Sequence, residues 1–343
     1  MSLTIDPLSD PSDRRVVPLR PRPVGASQRE SKASAPLRAH ECTVVIVSYR
    51  TGVVLLESVG AALKQDGVKA VVLVDNGNSS ETRAAVDALA ATDKRLIVLR
   101  GHGNIGFSKG CNLGVRYARS AYVLLLNPDC ILRPGVVNRV FSVFDEAPDA
   151  AVATVRIENL DGSEQRGGRR NLMTPWTCLV ELFRFDKLMP NHPHFQRLNL
   201  NESEPLEKVT AVECISGAFM MMPADTYAEL GGMDEEYFLH VEDVDLCMRV
   251  AKAGRPILYV PDAAVTHVKG TSRVSPFTVE WHKSVSAMKY FRKHFRPQYP
   301  DLILRIISLA IFARLAYRAV PITIAWITER LRSGSGEDRK LPK

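Results

Sequence analysis

From position 42 the chain alternates two hydrophobic rhythms. Residues 43–48 are a continuous β-branched run of buried-strand type, residues 55–64 repeat their apolar positions at helical spacing, and residues 70–75 return to the strand pattern before a cluster of turn and cap residues, Asn76 to Ser80. The same reading predicts a helix over 81–92, a strand over 96–99, a helix within 106–119 and a strand over 122–126. Strands and helices in this order predict a parallel sheet with helices on both faces. Ligands bind such sheets beyond the carboxyl ends of the strands. Three polar clusters fall there: Ser48-Tyr49-Arg50, Asp75-Asn76 and Asn127-Pro128-Asp129.

After a helix predicted over 136–144 the alternation breaks. Residues 162–170 are a polar, basic loop, 171–210 are irregular, and 213–222 read as a strand. A helix from Ala224 stops at Gly231-Gly232. An acidic helix follows over 242–253, then a strand over 257–260 with His267 beyond it, and a basic helix over 279–296 with Trp281, Val285, Met288, Phe291 and Phe295 on one stripe. Residues 302–327 are mostly apolar but carry Arg305, Arg314 and Arg318. An uninterrupted apolar run of about 18 residues is missing, so this segment does not read as a membrane span. It suits a helix in the headgroup layer of the inner membrane, or one packed on the domain or in a homodimer interface. The expected organisation is a disordered tail over 1–40 without the apolar core of a signal peptide, a folded domain over 41–275, a helical segment over 276–332 and a charged tail over 333–343.

Composition narrows the partners. The net charge of +7 over 343 residues favours an anionic ligand or surface, but no nucleic-acid recognition motif accompanies it. The six scattered cysteines form no C-x-x-C pair and read as reduced core thiols of a cytoplasmic protein. Gly101, Gly103 and Gly106 have dinucleotide-type spacing but follow the third strand and precede no acidic ribose-binding position, which argues against a dehydrogenase.

The chemistry lies in two carboxylate clusters. Asp129 ends a buried strand, and Glu242, Asp243 and Asp245 open a helix. Brought together, one acid can hold a cation against a diphosphate while another takes a proton from an attacking hydroxyl. Adjacent acids disfavour simultaneous ionisation, which raises one pKa. Asp245 and Arg249 are spaced as a structural i,i+4 pair.

Motifs in sequence order carry a resemblance over about residues 42–295: Val47-Ser48-Tyr49-Arg50, Val74-Asp75-Asn76-Gly77, Asn104-Ile105-Gly106-Phe107-Ser108-Lys109, Leu126-Asn127-Pro128-Asp129, Ser216-Gly217-Ala218-Phe219, and Glu242-Asp243-Val244-Asp245-Leu246-Cys247-Met248-Arg249. The chain resembles family-2 glycosyltransferases of GT-A fold, in the bacterial rhamnosyltransferase subgroup. That fold is α/β, a mostly parallel Rossmann-like sheet with helices on both faces, here followed by C-terminal helices. The resemblance implies an inverting transferase using Mg²⁺ or Mn²⁺, with Asp129 and His267 as metal ligands. Where the family usually has Asp-x-Asp, this chain has Asn127-Pro128-Asp129, leaving Asp129 as the chief acidic ligand. Asp243 is the implied base, beside Glu242. Asp75 is implied to accept from the pyrimidine N–H, Tyr49 to stack near the base and Ser48 to touch base or ribose. Asn76, Lys109, Asn112 and Asn127 border the donor, and Arg166, Arg169, Arg170 and Gly217 lie toward the acceptor.

The subgroup implies dTDP-L-rhamnose as the nucleotide-sugar donor and a glycan or polyprenyl-diphosphate-linked sugar as acceptor, with galactofuranose, mannose and GlcNAc transfer as alternatives. A sugar-1-phosphate nucleotidyltransferase would need a glycine-rich, lysine-containing loop after the first strand, which Ser48 to Gly52 do not supply. A catalytically silent membrane scaffold would not need the acids that are present.

Overall fold

The computed structural model describes residues 38–185, 198–271 and 274–333; all but the inner ends of the predicted tails, and part of the irregular 171–210 stretch, lie outside the described residues. The predicted alternation opens the fold: β1 (Cys42–Ser48), α1 (Val54–Leu63), β2 (Val68–Asp75), α2 (Ser80–Thr92), β3 (Leu96–Leu99), α3 (Phe107–Val115) and β4 (Tyr122–Leu126). Then come β5 (Cys130–Leu132), α4 (Val136–Glu146), β6 (Val152–Glu158), β7 (Arg169–Arg170), α5 (Pro175–Phe183), β8 (Thr210–Val212), β9 (Cys214–Ile215) and β10 (Phe219–Pro223). The chain continues through α6 (Ala224–Glu229), α7 (Glu242–Lys252), β11 (Ile257–His267), α8 (Pro276–Phe295) and α9 (Asp301–Ser333).

The main sheet has the order β3-β2-β1-β4-β10-β6-β11-β5, with β8 also paired to β11. β1, β2, β3 and β4 are mutually parallel. β10 is antiparallel to both β4 and β6, so β6 runs with β4, and β11 runs with β6. The sheet is therefore mostly parallel, with β10, β5 and β8 reversed.

Several details differ from the sequence reading: the short strands β5, β7 and β8 are additional, and α5 lies in the stretch read as irregular. The predicted strand 213–222 is two: β9 pairs with β7 in a separate ribbon, while β10 enters the main sheet. The backbone turns at Ser216-Gly217-Ala218 between them. β6 was not predicted as a strand, although its positions are nearly all buried. His267 is the last residue of β11, not beyond a shorter strand; a register shift between Val260 and Ala264, around Pro261-Asp262, hides the continuity.

Alternate residues of β1 enter opposite apolar layers. Val44 and Ile46 pack with Leu55, Val59 and Phe141 of α1 and α4. Val45 and Val47 belong to the layer that contains Cys111 of α3, Leu246 of α7, Phe291 of α8 and Leu304 and Ile307 of α9. α3 reaches β1 this closely through its glycines: a Cβ on Gly110 would stand 2.7 Å from Cγ1 of Val47, and one on Gly114 would overlap Val45. α8 buries Ala287, Tyr290, Phe291, His294 and Phe295, whereas Trp281 of the predicted stripe is 46% exposed and meets Phe312 of α9 edge-on.

Candidate active site

Strand ends assemble the first half of the site. Ser48 and Asp75 are in register at the ends of β1 and β2, and β4 delivers Asn127 to Asp129 just beyond Leu126. His267 pairs with Cys130 across the β5–β11 ladder, which sets its imidazole beside Asp129. Nε2 of His267 lies 3.1 Å from Oδ1 of Asp129 and 3.4 Å from Nδ2 of Asn127. Gln165 fixes the ring from behind. Its Nε2 donates to Oδ1 of Asn159 and to the His267 carbonyl, so Oε1 is the atom facing Nδ1, at 2.6 Å, and Nδ1 donates to it. Nε2 is thereby directed at Asn127 and the Asp129 carboxylate, the usual arrangement of a metal-ligating histidine with a hydrogen-bonded second nitrogen. Neighbouring ligands of an octahedral Mg²⁺ at ~2.1 Å stand about 3 Å apart, so the spacing of this pair fits a divalent cation.

Burial pushes the Asp129 carboxyl up, but His267 and the Thr271 hydroxyl, 3.0 Å from Oδ2, outweigh it and hold its pKa below the ordinary value. No group of three His, Cys, Asp or Glu side chains capable of holding a metal occurs among the described residues. Asn127, water or ligand oxygens would complete the coordination.

The second half is joined to the first through backbone. Phe219 pairs with Leu126, and the Asn127 N–H donates to the Ala218 carbonyl at 3.0 Å. The neighbouring Gly217 N–H donates to Oδ2 of Asp243 at 3.0 Å. A Cβ on Gly217 would lie 3.3 Å from that of Asp243, so glycine keeps the approach open. Arg170, at the end of β7, donates through Nη2 to Oδ2 of Asp243 and to the Ile215 carbonyl, both at 2.6 Å. The Val244 N–H donates to Oδ1 at 2.8 Å.

These contacts separate the two adjacent acids. Burial raises the Asp243 carboxyl, but the Arg170 charge and the Gly217 N–H outweigh it and bring its pKa below the ordinary value. Glu242 goes the other way: burial, then the Asp243 charge, push it up to about 8. Its Oε2 is buried and has no hydrogen-bond partner. At neutral pH the pair is Asp243 ionised and Glu242 protonated. The backbone leading to them is strained, with φ of 66° at His240 and 71° at Val241. Left-handed backbone at a non-glycine residue costs about 1–3 kcal/mol.

Asp245 faces inward, fully buried, with Arg249 Nε at 2.8 Å and both His294 Nε2 and Lys293 Nζ at 2.7 Å. It fixes α7 to α8.

At the donor end the named residues divide. Ser48 is buried and its hydroxyl meets Thr51 and Asn78 at 2.9 and 3.0 Å. Asp75 accepts from Gly77 N, Asn78 N and Asn78 Nδ2 through Oδ1 and from Arg100 Nε through Oδ2, so the turn and an ion pair already engage its carboxylate. The Tyr49 ring lies against Gly77, with the Arg50 guanidinium 5.2 Å from its centre. Asn76 donates to the Gly106 carbonyl at 3.1 Å and meets His102, bracing the loop that opens α3. Lys109 is exposed. Asn112 bonds Tyr227, both backbone groups of Met233 and Glu235, and so ties α3 to the 233–235 turn.

The three arginines also separate. Arg166 is exposed and pairs with Glu181 of α5 at 2.9 Å. Arg169 is buried, pairs with Glu164 at 2.7 Å and donates to the Glu204 carbonyl, which holds the loop. Arg170 serves Asp243. Gln165 and Thr271 had no signal in the sequence, because each acts on a partner known only once the strands are paired.

The sequence profile described as "Glycosyltransferase like family 2" matches residues 40–299. An N-acetylglucosaminyl-diphospho-decaprenol L-rhamnosyltransferase of Mycobacterium tuberculosis is 27% identical over 252 residues, covering 67% of this chain and 76% of that protein. The rhamnosyltransferase WbbL of Escherichia coli is 25% identical over 193 residues, covering 52% and 68%. Among solved structures, GalNAc-T7 with UDP, GalNAc and Mn²⁺ superposes with a TM-score of 0.56 at 15% identity, covering 77% of this chain and 49% of that one. The mannosyltransferase PcManGT of Pyrobaculum calidifontis with GDP-Man and Mn²⁺ gives 0.50 at 15% identity, covering 87% and 76%.

Proposed function

The chain belongs to glycosyltransferase family 2, and from that premise we propose an inverting, divalent-metal-dependent rhamnosyltransferase that takes L-rhamnose from dTDP-L-rhamnose. Its acceptor is a hydroxyl of a polyprenyl-diphosphate-linked sugar or growing glycan destined for a cell-surface polysaccharide. The relatives' names support the sugar and the lipid-linked acceptor. The single observation that carries the mechanism is the position of Asp243: an ionised carboxylate held by Arg170 and Gly217, one residue from the backbone partner of Asn127. We place the reaction at the cytoplasmic face of the inner membrane, where a nucleotide sugar and a lipid-linked acceptor meet.

In this reading Asp129, His267 and Asn127 hold Mg²⁺ or Mn²⁺, which when bound offsets the charge growing on the departing diphosphate. Gln165 keeps the histidine in the ligating tautomer. Asp243 takes the proton of the acceptor hydroxyl as its oxygen bonds to the anomeric carbon. The bond from that carbon to the diphosphate oxygen breaks, and the electron pair leaves with the nucleoside diphosphate. Attack from the face opposite the leaving group inverts the anomeric centre. Ser48, Tyr49 and Asp75 hold the nucleoside, with Asp75 sharing a carboxylate that the turn already uses.

The test is nucleoside diphosphate release from a panel of sugar nucleotides, with a membrane extract shown to contain acceptor, in Mg²⁺, Mn²⁺ or EDTA. Turnover of dTDP-rhamnose alone, lost in EDTA and reduced about 10²- to 10⁴-fold in Asp243→Asn, is expected. Turnover of another donor would remove rhamnose and keep the mechanism, whereas full activity in Asp243→Asn would overturn the base.

A further inference from the structure

α9 is apolar on two opposite sides. Its inner side, Leu304, Ile307, Ile311 and Leu315, is buried. Its outer side carries Leu302, Ile306, Leu309 and Tyr317, which are 68%, 56%, 71% and 85% exposed. At about 100° per residue these four fall on one stripe, and the exposed Arg305 and Arg314 stand on either flank of it. Next to this stretch, between α8, the 234–237 turn and the start of α9, opens a cleft of about 710 Å³. Lys289, Arg292, Lys293, Arg296 and Arg305 line it against Asp234, Glu236 and Asp301. Lys293 neutralises Asp234 at 2.5 Å and Arg296 lies 3.4 Å from Asp301. Arg292 and Arg305 have no ion-pair partner among the described residues. An uncovered apolar stripe and a surplus of positive charge therefore adjoin on one face.

We infer that this face of α8 and α9 docks on a bilayer surface carrying acidic lipids. The stripe enters the boundary between headgroups and acyl chains, and Arg305 and Arg314 keep their charges at headgroup level while their stems lie along it. The cleft takes up lipid phosphates. Charge complementarity chooses this occupant: a second copy of the same face would set surplus arginines against surplus arginines. No described helix is long and apolar enough to cross a membrane, so α9 lies along the surface. The inference stands apart from the donor and the acceptor, since binding to vesicles is read without turnover.

The full chain is tested by co-sedimentation with vesicles of phosphatidylcholine alone and of phosphatidylcholine mixed with phosphatidylglycerol. Binding to the acidic vesicles that weakens with salt is expected. Arg292→Gln, Arg296→Gln and Arg305→Gln together should weaken it about a hundredfold, at roughly tenfold or less per charge. Leu302→Gln, Ile306→Gln and Leu309→Gln together should abolish it, with an unchanged thermal midpoint showing that the fold survives. Equal binding to neutral vesicles would overturn the role of the cleft. No binding to either vesicle, with the apolar triple variant converting a dimer to a monomer, would overturn the proposal and give the face to a second copy.

Discussion

In the proposed reaction Asp243 works as the ionised carboxylate, and Arg170 is its closest charged partner. Burial among α7, β9 and the Gly217 turn raises the pKa of this half-buried carboxylate, and the Arg170 guanidinium is the largest of the influences that bring it below the ordinary value. Activity that needs the ionised form falls as pH drops through the Asp243 pKa. Arg170→Met should therefore move the acid limb of the kcat/KM profile to higher pH, and Arg170→Lys should move it less; an unmoved limb would show that Arg170 does not hold the base ionised. Glu242 gives the opposite sign. Its pKa rises from an ordinary 4.5 to about 8 in the folded chain, so its contribution becomes unfavourable as pH climbs above 4.5 and levels off above about 8. Glu242→Gln should raise the thermal midpoint at pH 8 and leave it nearly unchanged at pH 4. The sequence identified the acidic cluster but not its division of states, because the residues that separate them, Arg170 and Gly217, are 73 and 26 positions from Asp243.

At the scale of elements, β1 to β4 and their helices were readable because buried parallel strands are unbroken apolar runs. The elements that failed have short or interrupted patterns: β7 and β9 have two residues each, and β11 contains Pro261 and Asp262. Asn112 and Arg169 have contacts that the sequence does not announce, for a related reason. A polar side chain on a helix or loop looks the same in sequence whether it meets a ligand or its own fold, and both meet the fold here. The packing of α3 on β1 makes a sharper prediction. Gly114→Ala places a methyl group inside Val45, with Val74 3.2 Å away, and overpacking of this kind costs about 1–3 kcal/mol. A lowered chemical-denaturation midpoint with an unchanged slope would report it; an unchanged midpoint would mean that α3 can withdraw from the sheet.

For the whole molecule, sheet order matters more than local pattern. β10 lies between β4 and β6, yet it begins at Phe219, while β4 ends at Leu126. That insertion brings Gly217 and Asp243 to Asn127, and it also imposes a timetable on synthesis. A ribosome finishes β4, Tyr-Val-Leu-Leu-Leu, long before the strand that covers its open side exists. In the interval the nascent chain carries an uncapped apolar edge, the kind of edge that pairs with neighbouring chains. A chain released at residue 210 should therefore sediment as aggregate after expression, and a soluble monomer would mean that another segment shields β4 first. The candidate site is completed by a late strand, so its two halves meet only after that edge is covered.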